Sequence, residues 1–303
     1  MKLSTGWFVW VALLLPAVAF AGTGLDAVKR SVVMGMVVTG DITVNPDGSV
    51  HGYSLDQQDK VPADVAKLIG ETVPNWKFRP ILVDGNAVLA KAGMSLRVVA
   101  RLNGSGQLEA RVEDAEFGTE SLDADSPACA AGRCLSVRET VNPRFPRSVM
   151  VNGVDATVYV VMKIDKDGHV AAAAVRQVDL RKVADAAQME RWRHDIGDAT
   201  LHAMRRWTFN VPTTGDLAGK APWVSTIPMD LVVSTSGWPK PPPGYGQWVT
   251  YIPGPTLPLP WDHAEGAAGV ASSGTGDGVA GDGAPFVHDT RFVLMTPLRS
   301  AAG

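Results

Sequence analysis

The order of features in residues 156–209 constrains the fold more than any other part of the chain: a strand, a tight turn, a second strand, a long helix and a Trp-Thr-Phe exit follow without a break. Val158, Val160, Met162 and Ile164 fall on one face and Thr157, Lys163 and Asp165 on the other, the period-two alternation of a half-buried strand. Lys166-Asp167-Gly168 supplies the turn, because glycine takes positive φ at no steric cost and aspartate tolerates it. The chain is therefore expected to return antiparallel from His169 to Val178. A helix over about residues 183–206 should follow, with Ile196, Ala199, Ala203 and Trp207 on one stripe.

The first half holds a smaller version of the same order. Gly40 to Val50 gives an alternating strand, the Asp47-Gly48 turn and a returning strand. Val65, Leu68, Ile69 and Val73 recur at helical spacing, Pro62 sits where a first-turn proline is tolerated, and Pro74 should stop the helix. Trp76-Lys77-Phe78-Arg79-Pro80 answers Trp207-Thr208-Phe209, and Val83-Asp84-Gly85 gives a further turn. Residues 87–102 then form a strand with Leu96, Val98 and Ala100 on one face, as residues 223–233 do in the second half. Asp47 and Asp167 lie 120 positions apart and Trp76 and Trp207 131 apart, so the second copy carries a helical insertion of about that difference. This reads as a tandem duplication of one α+β unit. Trp76, Phe78, Trp207 and Phe209 are the expected core plugs between helix and sheet.

The chain of 303 residues has room for two such domains, each a small antiparallel sheet with helices. We place them at residues 22–118 and 142–236, joined by a polar linker at 119–141 and followed by a tail at 237–303. The first copy continues through Asn103-Gly104-Ser105-Gly106 into another strand-like run at 107–112. In the tail, prolines at 239–243 and 253–260 favour extended segments, and residues 264–284 are mostly Gly, Ala, Ser and Asp, too poor in apolar surface to fold alone. Arg291-Phe292-Val293-Leu294-Met295 is long enough for one strand that docks back on a domain edge. Trp238, Tyr245, Trp248, Tyr251 and Trp261 are expected to pack the tail onto the domain surface.

Lys2 precedes an apolar run from Trp7 to Phe20 that ends in Ala19-Phe20-Ala21, the pattern of a secretory signal peptide over residues 1–21. The run is short for a bilayer span, although an uncleaved anchor is the competing reading. Loss of Lys2 takes the formal charge from −3 to about −4, with no basic stripe for nucleic acid. Export also suits Cys129 and Cys134, which flank Ala-Ala-Gly-Arg and are expected to form a disulfide. A redox centre or half a metal site are the alternatives, disfavoured because the spacing is not Cys-x-x-Cys and no further cysteine exists.

Taken together, Asn142-Pro143-Arg144-Phe145-Pro146, the hairpin at 153–175, the helix and Trp207-Thr208-Phe209 resemble the C-terminal domain of TonB, the periplasmic energy transducer of Gram-negative bacteria. The resemblance is strongest over residues 142–233 and extends in the first copy over 34–102. It implies a small antiparallel sheet whose edge strand pairs with a short peptide of an outer-membrane transporter. By that resemblance the partner-binding edge is Trp223, Val224, Ser225, Thr226, Ile227, Met229 and Leu231, with residues 87–102 as its counterpart. The physical mode is strand addition, in which main-chain hydrogen bonds give affinity and alternate side chains give selectivity.

This chain departs from the family pattern, since an energy transducer needs an uncleaved anchor carrying a histidine and a Pro-rich spacer before the domain. Here the first histidine is His51 and the Pro-rich stretch follows the domains. The expectation is a non-catalytic periplasmic protein that binds envelope or outer-membrane proteins, with a membrane-anchored transducer as the alternative and an enzyme as a remote one. No cofactor, metal, nucleic acid or small-molecule substrate is expected, and the oligomeric state is open. The six histidines lack ligand spacing, although His194 and His202 are eight apart on the expected helix. Asp165-Lys166-Asp167-Gly168 reads as a turn rather than a calcium loop, because no acidic residue follows at the required position. Gly104-Ser105-Gly106 lacks the spacing of a nucleophile elbow.

Overall fold

A computed structural model of the chain describes residues 31–103, 105–120, 127–233, 244–261 and 286–298. The segment read as a signal peptide, Trp238 and the Gly-rich stretch lie outside these residues. The fold is mixed α and β, mostly antiparallel sheet with few helices. In the first half, β1 (Val33–Val44), β2 (Val50–Leu55), α1 (Ala63–Thr72), β3 (Leu82–Val83), β4 (Asn86–Ala87), β5 (Ala90–Leu102) and β6 (Leu108–Glu120) follow in order. The second half contains β7 (Ser136–Glu139), α2 (Arg147–Val151), β8 (Ala156–Ile164), β9 (Val170–Leu180), α3 (Ala186–Met204), β10 (Thr208–Asn210) and β11 (Trp223–Leu231). Two short strands, β12 (Val249–Tyr251) and β13 (Phe286–His288), come from the tail.

The two halves share more than an order of elements. Gly48 (φ +80°) and Gly168 (φ +82°) occupy the same place in their turns, and an added Cβ would collide with the carbonyl oxygen of Phe78 in one case and of Phe209 in the other. Each glycine carbonyl accepts a 2.8 Å bond from the amide of that same phenylalanine. The Asp-Gly turn and the Trp-x-Phe exit are therefore one device: glycine is needed both for its backbone angle and because the exit strand passes directly over it. Helix ends follow local chemistry. Asp185 caps α3 by accepting from the Gln188 amide, and α1 stops at Thr72, two residues before Pro74.

Each half packs its helix on one face of its strands. In the first, Val65 and Ile69 of α1 meet Met36, Val38, Ile42, Leu96 and Val98, with Trp76 and Phe78 among them. Trp192 and Ile196 of α3 do the same in the second against Val158, Val160, Met162 and Ile227, with Trp207 and Phe209. These four aromatic residues are all buried, as expected of core plugs, and Phe117 stands edge-on to Trp76 and Phe78 at 5.9 and 4.9 Å.

The halves are not separate sheets. The strand order is β12-β1-β5-β6-β13-β11-β8-β9, with β2 also beside β1, in one nine-stranded sheet. β13 lies between β6 and β11 and makes the join. At the far ends, β12 pairs with β1 at Val33 to Gly35, while Ile252 exchanges backbone bonds of 3.1 and 2.7 Å with Leu180. The sheet thereby curls until its two outer strands meet through the tail.

Two sequence expectations change in consequence. Residues 87–102 were expected to offer a binding edge, but β5 is paired along its length with β1 on one side and β6 on the other. The reason is that the strand-like run after Asn103 extends to Glu120 and completes that edge from within the chain. The segment 119–141 is also more than a linker: it contributes Leu135 to the second core and β7, which pairs with β10. It also holds the Cys129–Cys134 disulfide, with Cα atoms 4.8 Å apart. The Arg291-to-Met295 run docks back as expected, with Leu294 bridged to Phe78 and both Phe292 and Leu294 in the first core. Tyr245 and Trp248 pack against that core, and Lys163 sits over the Trp261 ring at 5.2 Å.

Candidate binding site

The residues singled out as a partner-binding edge all lie on β11. Trp223, Ile227 and Leu231 point into the second core with Met229 packed against them, and the Trp223 indole donates to the Leu217 carbonyl at 2.9 Å. Ser225 is fully buried, whereas Val224 and Thr226 face the other side of the sheet, Val224 at the lip of a cleft. On one flank β11 pairs with β8 over its whole length. On the other, Ser225 and Thr226 face Val287 and Phe286 of β13. The predicted edge thus has an occupant at its middle, a strand of three residues brought from the end of the chain.

The correspondence between halves explains why a strand fits there. β5 has β6 beside it, and β11 has β13 in the same relation. Likewise the Lys77 to Arg79 exit is paired by Val293 to Met295 of the tail, as β10 is paired by β7. The tail supplies to each half an element that a neighbouring stretch of chain supplies to the other.

Three residues fix β13 in its slot. Gly118 of β6 lets it approach, since a Cβ there would collide with the Val287 carbonyl oxygen. Val287 enters the second core. His288 faces the opposite side, where its Nε2 is 2.8 Å from Thr226 Oγ1 and 3.7 Å from Glu116 Oε1. Burial pushes the His288 pKa down to about 4, so the ring is neutral at neutral pH.

That opposite face lies between the two halves and mixes buried polar groups with small apolar clusters around Val99 and Tyr251 and around Val161 and Leu259. Thr39, Ser95, Arg97, Asp114, Glu116, Thr157, Gln177 and Asp179 are all buried there. Arg97 crosses from β5 to the second half, donating from Nη2 to Tyr251 Oη at 2.6 Å and pairing with Asp179 at 3.4 Å. Its guanidinium also stands over the Tyr159 and Tyr251 rings, at 5.7 and 5.2 Å. Asp179 accepts further bonds from Gln177 Nε2 at 2.7 Å and the Gly254 amide at 2.9 Å. Burial raises the Asp179 pKa against the pull of Arg97, and burial pushes Tyr251 up to about 12. A neutral phenol and a paired guanidinium hold geometry; neither is an activated nucleophile or base.

At one end of the seam this face opens into a cleft of about 590 Å³. His288, Gly118, Gly93 and Val224 line it together with Asp41, Asp56, Asp216, Lys91, Lys220 and Arg291. Lys91 is paired with Asp41 at 3.0 Å and Arg291 with Asp289 at 2.6 Å. A second depression lies between residues 141–146 and α3, where His194, Asp198 and His202 share one helix face. His194 is 3.5 Å from Asp198, and among the described residues no His, Cys, Asp or Glu group is arranged to hold a metal. The Asp165 carboxylate accepts from the Asp167 and His169 amides at 2.9 Å, the geometry of a hairpin turn.

Sequence reasoning found β11 and missed its surroundings. Asp114 and Glu116 alternate with Ala115 and Phe117 just past the run thought to stop at 112, and extending that alternation was the signal available. His288 carries no such signal, because a strand of three residues has no periodicity to read. No helix among the described residues is long and apolar enough to cross a membrane. No protein-family model, curated protein or solved structure matches the chain.

Proposed function

We propose that this chain is a non-catalytic, exported, tandem TonB-like protein that binds cell-envelope proteins, of the outer-membrane transporter type, by strand addition at β11. The observation that carries the reading is the seam itself. The flank of β11 accepts an antiparallel strand from a remote part of the sequence, and it does so through a register of only two residues, Ser225 and Thr226. A partner strand that pairs along more of β11 gains more main-chain hydrogen bonds than β13 makes there, which favours exchange. Pro228 limits that gain by removing one donor from the row. The duplicated Asp-Gly and Trp-x-Phe geometry supports the TonB-like assignment, and the apolar run before Gly22 supports export.

A photoreactive residue at Val224, on the lip of the cleft, tests the reading in whole cells of a Gram-negative host. An adduct with a defined envelope protein is expected, and a clean monomer under all growth conditions overturns it. Mass measurement of the mature protein separates the alternative: a start at Gly22 rejects a membrane-anchored transducer, and an intact Met1 rejects the cleaved form.

A further inference from the structure

The stretch between β10 and β11 lines the cleft with Asp216, Leu217, Lys220 and Pro222. Its later part is held by the second core, since Leu217 packs against that core and its carbonyl accepts from the Trp223 indole. Its start is held differently. Among the described residues, the Thr213 and Thr214 amides donate to the Gly132 carbonyl at 2.8 and 3.0 Å, and Thr214 Oγ1 donates to the Ala131 carbonyl at 2.7 Å. Gly215 lies against Arg133, where an added Cβ would stand 3.2 Å from the side-chain Cγ. All of these contacts go to residues inside the ring that the Cys129–Cys134 disulfide closes.

A bridge across so short a loop restricts the unfolded chain less than a long-range one, so its main effect is local. Cys134 is buried beside Leu135 of the second core, whereas Cys129 is half-buried and Ala130, Ala131 and Arg133 are exposed. The disulfide therefore ties the exposed side of the ring, with the two carbonyls used by Thr213 and Thr214, to a packed anchor.

The turn at Thr213 also reaches β13. Asp216 lies just beyond it and lines the cleft together with Arg291, three residues past His288. The Arg291 pKa is raised, first by its hydrogen bonds to the Asp289 carboxylate and further by the charge of Asp216. Asp289 closes the end of β13, its amide donating to the Phe117 carbonyl of β6 at 3.0 Å.

We propose that the Cys129–Cys134 disulfide is a redox latch on the cleft: its reduction by a dithiol releases residues 213–216 from the ring, loosens the end of β13 and speeds the exchange of a partner strand onto β11. This rests on the strand-addition reading of β11 and adds its regulation. In the reduction, a thiolate of the dithiol attacks the sulfur of Cys129, the less buried cysteine, and the disulfide bond breaks. Cys134 leaves as a thiolate and takes up a proton. The second thiolate of the reductant then displaces Cys129 from the mixed disulfide, so the chain ends with two thiols and the reductant with a disulfide.

The test compares amide exchange of the full chain, oxidised and after reduction with dithiothreitol. Exchange is expected to quicken about tenfold at Thr213 and Thr214 and about threefold at Asp289, with β8 unchanged and re-oxidation restoring both rates. The Cys129→Ser, Cys134→Ser double variant should exchange like the reduced protein and give about threefold more adduct at Val224 in cells. Rates at Thr213 and Thr214 that are equal in the two redox states overturn the latch, as does a disulfide that dithiothreitol reduces only after unfolding. A change there without one at Asp289 overturns its reach to β13, and equal adduct from wild type and double variant overturns the gating. No adduct from either protein, with the exchange changes as expected, removes strand addition at β11 and leaves the redox coupling of the cleft standing.

Discussion

A single histidine and two tryptophans show how far individual side chains set the behaviour of this protein. Burial holds the His288 pKa down to about 4, from an ordinary value of 6.5. Above pH 6.5 neither the folded nor the unfolded chain binds this proton; between about 6.5 and 4 only the unfolded chain does, so stability falls as pH falls through that window and levels off below it. The full shift corresponds to about 3 kcal/mol, which we reduce to about 1–2 because the side chain is 23% exposed and Glu116 favours the protonated ring. Urea unfolding at pH 7 and pH 4.5 should show this loss in the wild type and a smaller one in His288→Gln. Trp76 and Trp207 act through packing. Truncation of either to Ala should cost about 3–5 kcal/mol in urea unfolding. Trp76, at 1% exposure, should cost at least as much as Trp207 at 9%, whose indole also donates to the Val141 carbonyl at 3.0 Å.

Among the elements, β13 is the one whose removal should be felt locally. Gly118→Ala places a methyl against the Val287 carbonyl oxygen, a backbone atom that cannot rotate away. The expected result is lost amide-exchange protection at Val287 and His288 with β5 and β8 still protected; a uniform fall across all strands would show that β13 is integral to the fold instead. The hairpins, helices and Trp exits were legible in the sequence because each rests on local periodicity and a turn residue. β6 was legible only in its first residues, since its later half alternates buried acids with apolar residues and looks like a solvated stretch. β7 and β13 were not legible at all: their pairing partners lie about 70 and 60 residues away, and short strands are specified by the slot that receives them rather than by their own pattern.

For the molecule as a whole, two packed halves enclose a face of mixed polar and apolar groups, and the tail stitches them together at both ends. Arg97 from the first half, Asp179 from the second and Tyr251 from the tail meet in one buried cluster, so all three parts of the chain must be in place for its hydrogen bonds to form. Such a cluster specifies one arrangement of the halves more than it stabilises them. The sequence reads as two repeats and gives no sign that both halves share one sheet, because nothing local marks a strand that joins two neighbours. The functional account requires this closed sheet to open at one seam while the cluster and both cores persist. A disulfide between Thr226→Cys and Phe286→Cys, residues that face each other across the seam, ties β13 to β11 and tests that requirement directly. We predict that the envelope-protein adduct formed at Val224 disappears in the oxidised double variant and is retained in each single variant; an adduct that forms equally well with the seam tied shut contradicts the account.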